Sequence, residues 1–115
     1  MLRIRKRNIA VFAEAMRKGR VPRIVEYIKA RFSHVFTPED DEKVRTIVER
    51  ADASAATYDV TDEDDVALFA DLCVMYGDDF HTEPWAHKVL RSEKLTSHDK
   101  MLELRDRVVR SGALM

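Results

Sequence analysis

Apolar residues recur three and four positions apart along most of the chain, which is the spacing of one face of an α-helix. This periodicity predicts about six short helices, at about residues 2–18, 22–36, 38–55, 62–76, 84–91 and 97–112. The second helix has the longest apolar stripe, which comprises Ile24, Val25, Ile28, Phe32, Val35 and Phe36. The third is expected to bury Val44, Ile47, Val48, Ala51 and Ala55, and the fourth Val66, Phe69, Leu72, Cys73 and Tyr76. Such stripes are typical of helices that pack around a common core.

Residues typical of helix ends separate the predicted helices. Gly19 is expected to end the first helix and Pro22 to open the second, because glycine favours the position after a helix and proline its first turn. Thr37 precedes a proline and four consecutive acidic residues, which together favour the start of the third helix. Thr61 is expected to cap the fourth helix and Gly77 to end it.

The composition favours an all-α fold. Only three glycines and three prolines occur in 115 residues, whereas a β-rich fold needs a turn roughly every 8–12 residues. Hydrophobic residues make up 45% and charged residues 36%, which is typical of a globular domain. Because the chain has the usual length of one domain, we predict a compact single-domain bundle that spans residues 1–115.

The single cysteine and the absence of long apolar runs bear on the compartment. Cys73 excludes an intramolecular disulfide, and its apolar neighbours predict a buried thiol. The basic residues near the start of the chain are not followed by the apolar stretch of a secretory signal. No run approaches the roughly 18 apolar residues of a membrane span. We therefore expect a cytoplasmic protein that does not enter a membrane.

The residues capable of catalysis or metal binding form no recognisable motif. His81 and His87 lie near Asp78, Asp79 and Glu83, but this arrangement lacks the paired short spacings of a zinc site. The glycines are isolated, so no phosphate-binding loop exists, and no nucleophile–base signature occurs. The sequence therefore predicts a protein that is not an enzyme, with no catalytic residues, metal or cofactor.

Charge is distributed unevenly along the chain. Residues 1–33 hold ten basic and two acidic residues (+8), residues 34–66 hold three and eleven (−8), and the remainder holds seven and eight (−1). The basic segment begins with Arg3, Arg5, Lys6 and Arg7, which could steer an acidic protein or nucleic acid to the first helices. Alternatively, the basic and acidic helices pair within the fold. A net charge of −1 disfavours a nucleic-acid partner, since dedicated binders are more often basic overall.

Aromatic residues around residue 80 offer a second candidate surface. Trp85, the only tryptophan, follows Phe80 and Pro84 in a stretch with no helical periodicity at its start. Trp85 could fasten this bend to the core. Alternatively, Trp85 and Phe80 contact a partner, because large aromatic residues are enriched at binding hot spots.

The segment from Val60 to Met101 resembles the second half of a group of short, largely uncharacterised bacterial helical proteins. The shared pattern is T-x-E-x-D-V-x-x-F, a glycine followed by a phenylalanine, a proline, W-A-x-x-(I/V)-L and a late methionine. The matching residues are Thr61, Glu63, Asp65, Val66, Phe69, Gly77, Phe80, Pro84, Trp85, Ala86, Val89, Leu90 and Met101. Pro84 here adjoins Trp85, where the group often has intervening residues, so the bend is expected to differ.

The resemblance implies a role beside the spike, PAAR-tip and effector components of type VI secretion systems. We therefore expect a non-enzymatic protein-binding accessory module, such as an adaptor, a chaperone or an immunity-like protein, whose partner is a secreted effector or a spike component. The candidate partner-binding residues are Arg3, Arg5, Lys6, Arg7, Phe80 and Trp85. The alternative is a small nucleic-acid-binding protein that uses the basic N-terminal helices.

Overall fold

The computed structural model describes the backbone of residues 6–110 and the side chains of residues 19–110. The regular elements in this part of the chain are α1 (Lys6–Arg31), α2 (Asp41–Ala56), α3 (Glu63–Tyr76), α4 (Pro84–Leu90) and α5 (Ser97–Arg110). Short 3₁₀ turns at Pro38–Asp40 and Phe80–Thr82 precede α2 and α4. No strand occurs among the described residues, so the all-α prediction is confirmed.

Helices α1, α2 and α3 pack against one another, and α5 packs against α3 and α4. Their inward faces form one cluster of buried apolar residues, to which every described helix contributes. The fully buried side chains include Ile24, Ile28, Val44, Val48, Phe69, Leu72, Leu90, Met101 and Leu104. Burial of these apolar surfaces is the main force that holds the helices together.

The first two predicted helices are a single helix, so the predicted break at Gly19 is wrong. Gly19 lacks the left-handed conformation of a helix-terminating glycine, and Pro22 lies inside α1. A proline in a helix interior costs about 3 kcal/mol because it removes a backbone hydrogen bond. Buried contacts of α1 on both sides of Pro22, which include Val21 and Ile24, offset this cost. Helix α1 then ends at Arg31, earlier than predicted, which leaves Val35 54% exposed and outside the predicted stripe.

The other helix ends are close to their predicted positions. Before α2, the backbone N–H of Thr37 donates to the Asp40 carboxylate (2.8 Å), which stabilises the 3₁₀ turn that opens the helix. Helix α3 ends at Gly77, whose φ of +102° is readily available only to glycine. The residue in the N-cap position of α3 is Asp62 rather than the predicted Thr61.

The apolar faces predicted for α2 and α3 are confirmed except at Ile47, which is only partly buried, and at Tyr76, which is 42% exposed. Both helices also bury acidic residues, Asp52 in α2 and Asp65 and Asp71 in α3. Among the described residues, no helix is both long enough and apolar enough to cross a membrane.

Candidate functional site

A groove of about 560 Å³ lies between α1 and α5, and α3 forms its floor. We call it the central groove. Its apolar lining comprises Ile24, Tyr27, Ala67, Leu68 and Leu102, and its charged lining comprises Arg23, Arg31, Glu63, Asp64, Asp65, Asp71, His98 and Arg105. An apolar base with a few polar groups is typical of a binding site.

Asp71 is the most deeply buried charged residue of the central groove, with only 3% of its surface exposed. The Tyr27 hydroxyl donates to Asp71 Oδ2 (2.7 Å), and Arg31 Nε lies 3.7 Å from the same oxygen. Oδ1 is buried and has no hydrogen-bond partner among the residues that the structure describes. Burial raises the pKa of the Asp71 carboxyl, and the contacts with Tyr27 and Arg31 offset this shift only in part.

The same contact affects Tyr27. Burial and the nearby Asp71 carboxylate raise the pKa of the Tyr27 phenol to about 12. The phenol therefore keeps its proton at neutral pH and remains a donor to Asp71.

Two other acids of the central groove have partners. Glu63 accepts hydrogen bonds from Arg23, with Nη2 2.6 Å from Oε1, and the pKa of Glu63 is lowered chiefly by these bonds. His98 Nδ1 lies 2.9 Å from the buried Asp65 carboxylate. The side chain of Asp64, by contrast, is exposed and forms no hydrogen bond or ion pair with the described part of the chain. The groove therefore retains unused acceptor capacity at Asp64 and Asp71.

We expect Asp71→Asn to make the protein more stable at neutral pH. The asparagine can still accept the Tyr27 hydrogen bond, and the substitution removes a buried carboxylate whose ionisation the fold disfavours. Because the folded pKa of Asp71 is raised above its unfolded value, the folded protein takes up this proton first as the pH falls. The advantage of Asp71→Asn should therefore shrink as the pH drops through the folded pKa towards the unfolded value.

Chemical denaturation of both proteins at several pH values tests this expectation. Glu93→Gln is the matched control, because Glu93 is exposed and its charge loss should leave stability nearly unchanged. Asp71→Asn proving less stable than the parent at neutral pH, or a difference that does not vary with pH, would contradict it.

Trp85 lies at a second, smaller surface. Its ring packs edge-to-face against Tyr76, with centroids 5.6 Å apart, and lies 6.2 Å from the ring of Phe80. Trp85, Tyr76, Arg107 and Val108 line an open pocket of about 360 Å³, which we call the Trp85 pocket. Trp85 is half-buried. It thus fastens the bend to the core and also presents part of its ring at the surface.

The other candidate partner-binding residues have different outcomes. Phe80 is only 1% exposed and belongs to the core, where its ring lies 4.9 Å from that of Phe69. It therefore has no surface to offer a partner in this conformation. Arg3 and Arg5 lie outside the described residues, as do the side chains of Lys6 and Arg7.

The histidines near the bend form a polar contact. Tyr58 Oη lies 2.8 Å from His81 Nδ1, and the Tyr58 ring packs edge-to-face against His87. Within residues 19–110, no group of three side chains is arranged to hold a metal ion. Cys73 is buried, and burial raises the pKa of its thiol to about 12, so the thiol stays protonated and unreactive at neutral pH.

The basic and acidic segments pair within the fold where the structure describes them. Arg20 contacts Asp52 of α2, and Arg23 contacts Glu63 of α3. Lys29 contacts Asp41 at the start of α2. The second interpretation of the charge pattern, pairing between neighbouring helices, therefore holds for these cations.

The central groove was not predicted, although one sequence signal points to it. Every residue from Val66 to Tyr76 is apolar except Asp71. A lone acid in such a stretch must either face solvent or be buried with a partner. The sequence does not reveal which, because the Tyr27 partner is 44 residues away.

Comparison of the chain with models of protein families, with curated proteins and with solved structures found no match. The fold and the two surfaces define a small helical protein with a mixed-charge groove and a separate aromatic pocket.

Proposed function

We propose that the protein is a cytoplasmic, non-enzymatic protein-binding module. Its partner in this proposal is a secreted effector or spike component of a bacterial type VI secretion system, for which it acts as an adaptor, a chaperone or an immunity-like protein. The observation that carries the protein-binding role is the Trp85 pocket. The type VI assignment is supported by the sequence pattern between Val60 and Met101.

The Trp85 pocket has the chemistry of a protein-binding hot spot. Tryptophan, tyrosine and arginine are the residue types most enriched at such positions, and Trp85, Tyr76 and Arg107 adjoin one another here. Each aromatic ring is partly exposed and is held in place by the edge-to-face contact. A rigid aromatic pair loses little conformational freedom on binding, which favours affinity.

The residues of the shared pattern also direct attention to Trp85. Most of its apolar members, among them Val66, Phe69, Ala86 and Leu90, lie in the core. Their occurrence in the pattern therefore has a structural explanation. Trp85 is the large aromatic member of the pattern that reaches the surface.

The described cations of α1, where the alternative would place a nucleic acid, support such a partner less well. Arg20, Arg23, Lys29 and Arg31 all lie within 4.0 Å of carboxylate oxygens in the fold. Phosphate binding by these residues would have to compete with those contacts, whereas nucleic-acid affinity depends on cations free to replace counterions.

The proposal is tested by capturing the tagged protein's partner from a bacterium that encodes it, identifying that chain and measuring its affinity. Trp85→Ala should weaken binding by about 2 kcal/mol, or roughly 30-fold, if Trp85 is a hot-spot residue. Val35→Ala is the matched control, since Val35 is an exposed apolar residue away from the Trp85 pocket. Binding of Val35→Ala should be unchanged.

Thermal melting of the same variants separates lost binding from lost folding. An identified partner that is unrelated to secretion would contradict the type VI assignment. Unchanged affinity for the partner in a folded Trp85→Ala protein would exclude the Trp85 pocket as the binding surface. Submicromolar binding to mixed nucleic acid at physiological salt, abolished by Arg3, Arg5, Lys6 and Arg7 to alanine together, would favour the nucleic-acid alternative.

A further inference from the structure

Asp71 lines the central groove, and one of its two carboxylate oxygens is buried without a hydrogen-bond partner among the described residues. Oδ2 is occupied by the Tyr27 hydroxyl, while Oδ1 has no partner among the described residues. A buried polar atom without a partner loses its hydrogen bonds to water and gains none in return, which is unfavourable to the fold. Departures of this kind from favourable packing are concentrated at functional sites. The Asp71 carboxylate is thus a candidate ligand-binding group rather than a contributor to stability.

The floor of the central groove has an acid at each end and apolar residues between them. Asp64, Ala67, Leu68 and Asp71 are spaced at i, i+3, i+4 and i+7 on α3, so they share one helix face. Seven residues of α-helix rise about 10 Å. A ligand that matches this floor has a polar head on an apolar stem, and a second polar group about 10 Å away could reach the other acid.

The charge of the ligand's polar head follows from which carboxylate oxygens of the central groove can still accept a hydrogen bond. The partners of Glu63 and Asp65 are already in place, so these acids have little capacity left. Arg31 lies over the ring of Phe32 and near the oxygen of Asp71 that is already occupied. Arg105 lines the groove on α5 and forms no ion pair with the residues that the structure describes. The unused groups on the floor are therefore carboxylate oxygens, which require a donor and favour a cation.

The geometry of Asp71 also selects the kind of cation. A guanidinium binds a carboxylate best through two parallel hydrogen bonds, which need both oxygens. Of the two oxygens, Oδ1 is the one without a partner among the described side chains, and a primary ammonium group is a compact charge that can use a single acceptor. Tyr27 and Arg31 are exposed groove residues that contact the other oxygen, Oδ2, so the proposed nitrogen would have to enter the groove beside them to reach Oδ1.

We infer that the central groove binds a primary ammonium group on an apolar chain, with the nitrogen at Asp71 Oδ1 and the chain on Ala67 and Leu68. A lysine side chain and a linear aliphatic amine share this chemistry. A linear diamine would place its second nitrogen near Asp64. This site does not involve the Trp85 pocket, so the two proposals can fail separately.

The probe is a linear seven-carbon diamine, whose length suits the roughly 10 Å between the two acids along α3. Titration of the whole protein by calorimetry and by backbone-amide NMR should show saturable binding, with shifts confined to residues that line the central groove. Asp71→Asn should reduce the affinity at least tenfold, and Asp64→Asn should reduce it several-fold. The seven-carbon monoamine should bind more weakly than the diamine, and the matching alcohol should not bind.

Glu93→Gln is the matched control, because it removes an exposed acid outside the central groove and should leave binding unchanged. A short capped peptide with one lysine distinguishes a lysine side chain from a linear aliphatic amine as the source of the ammonium group. Binding of the peptide should depend on Asp71 and not on Asp64. Saturable binding of the diamine or of the lysine peptide supports the site if that binding is lost in Asp71→Asn. The proposal is overturned if neither the diamine nor the lysine peptide shows saturable binding. It is also overturned if the parent, Asp71→Asn and Asp64→Asn bind equally well. Asp64 is exposed and Asp71→Asn is expected to stabilise the fold, so lost binding in either variant would not be caused by unfolding.

Discussion

Replacing Arg20 by alanine is expected to lower the free energy of unfolding by about 3–5 kcal/mol. Arg20 is only 8% exposed and lies 2.5 Å from the buried Asp52 carboxylate of α2. It also donates to the backbone carbonyl of Thr61, just before α3. Removal of the guanidinium leaves the Asp52 charge buried without its counter-ion. The loss should appear as a lower denaturant midpoint with an unchanged m-value.

Arg23→Ala is the matched control for this prediction, because it removes a cation from the next turn of the same helix. The Arg23–Glu63 pair is largely exposed, so its loss should cost at most about 1 kcal/mol. The double variant Arg20→Met/Asp52→Leu should recover much of the stability, since apolar residues of similar size often replace a buried ion pair without loss. Equal effects of Arg20→Ala and Arg23→Ala would show that the buried pair does not hold α1 onto α2.

The second large effect is expected at Phe80, where Phe80→Ala should destabilise the protein by about 3–5 kcal/mol. Its ring lies in the core between Phe69 and Trp85, in the 3₁₀ turn that joins α3 to α4. Truncation would leave a cavity and loosen the turn that positions Trp85. Denaturation followed by tryptophan fluorescence measures both effects, because Trp85 is the only tryptophan.

Phe80→Leu is the control for Phe80→Ala, since it keeps most of the apolar volume and should cost clearly less. A loss below about 1 kcal/mol in Phe80→Ala would mean that the ring is not a core residue. Phe80 would then become a candidate for partner contact again.

Asp52 and Asp71 are both buried acids, but we expect them to affect the stability of the protein in opposite directions because their partners differ. Asp52 has a buried arginine beside it and joins two helices. Asp71 has a phenol and a more distant arginine on one oxygen, and the other oxygen has no hydrogen-bond partner among residues 19–110. We therefore expect Arg20→Ala, which removes the partner of Asp52, to lower the stability of the protein. Asp71→Asn should instead raise the stability and remove ligand binding. A residue that lowers stability at a groove is consistent with the general conflict between stability and function.

Apolar periodicity was sufficient to predict α2, α3, α4 and α5 and most of the residues that they bury. Helix formation and the choice of inward face depend on neighbours three and four positions away, which the sequence displays directly. Gly77 as the end of α3 was predicted for the same reason, because its backbone conformation is a local property.

The continuity of α1 and the central groove were decided by tertiary contacts. Local signals at Gly19 and Pro22 favour a break, but contacts of α1 with α2 and α3 outweigh the local cost. Likewise, Tyr27 and Arg20, which donate hydrogen bonds to Asp71 and Asp52, come from α1, 44 and 32 positions away along the chain. The sequence shows that an acid lies within an apolar face, but only helix packing determines whether a counter-ion reaches it. That packing places Arg20 against Asp52 between α1 and α2, and it brings no hydrogen-bond partner to Asp71 Oδ1 from the part of the chain that the structure describes.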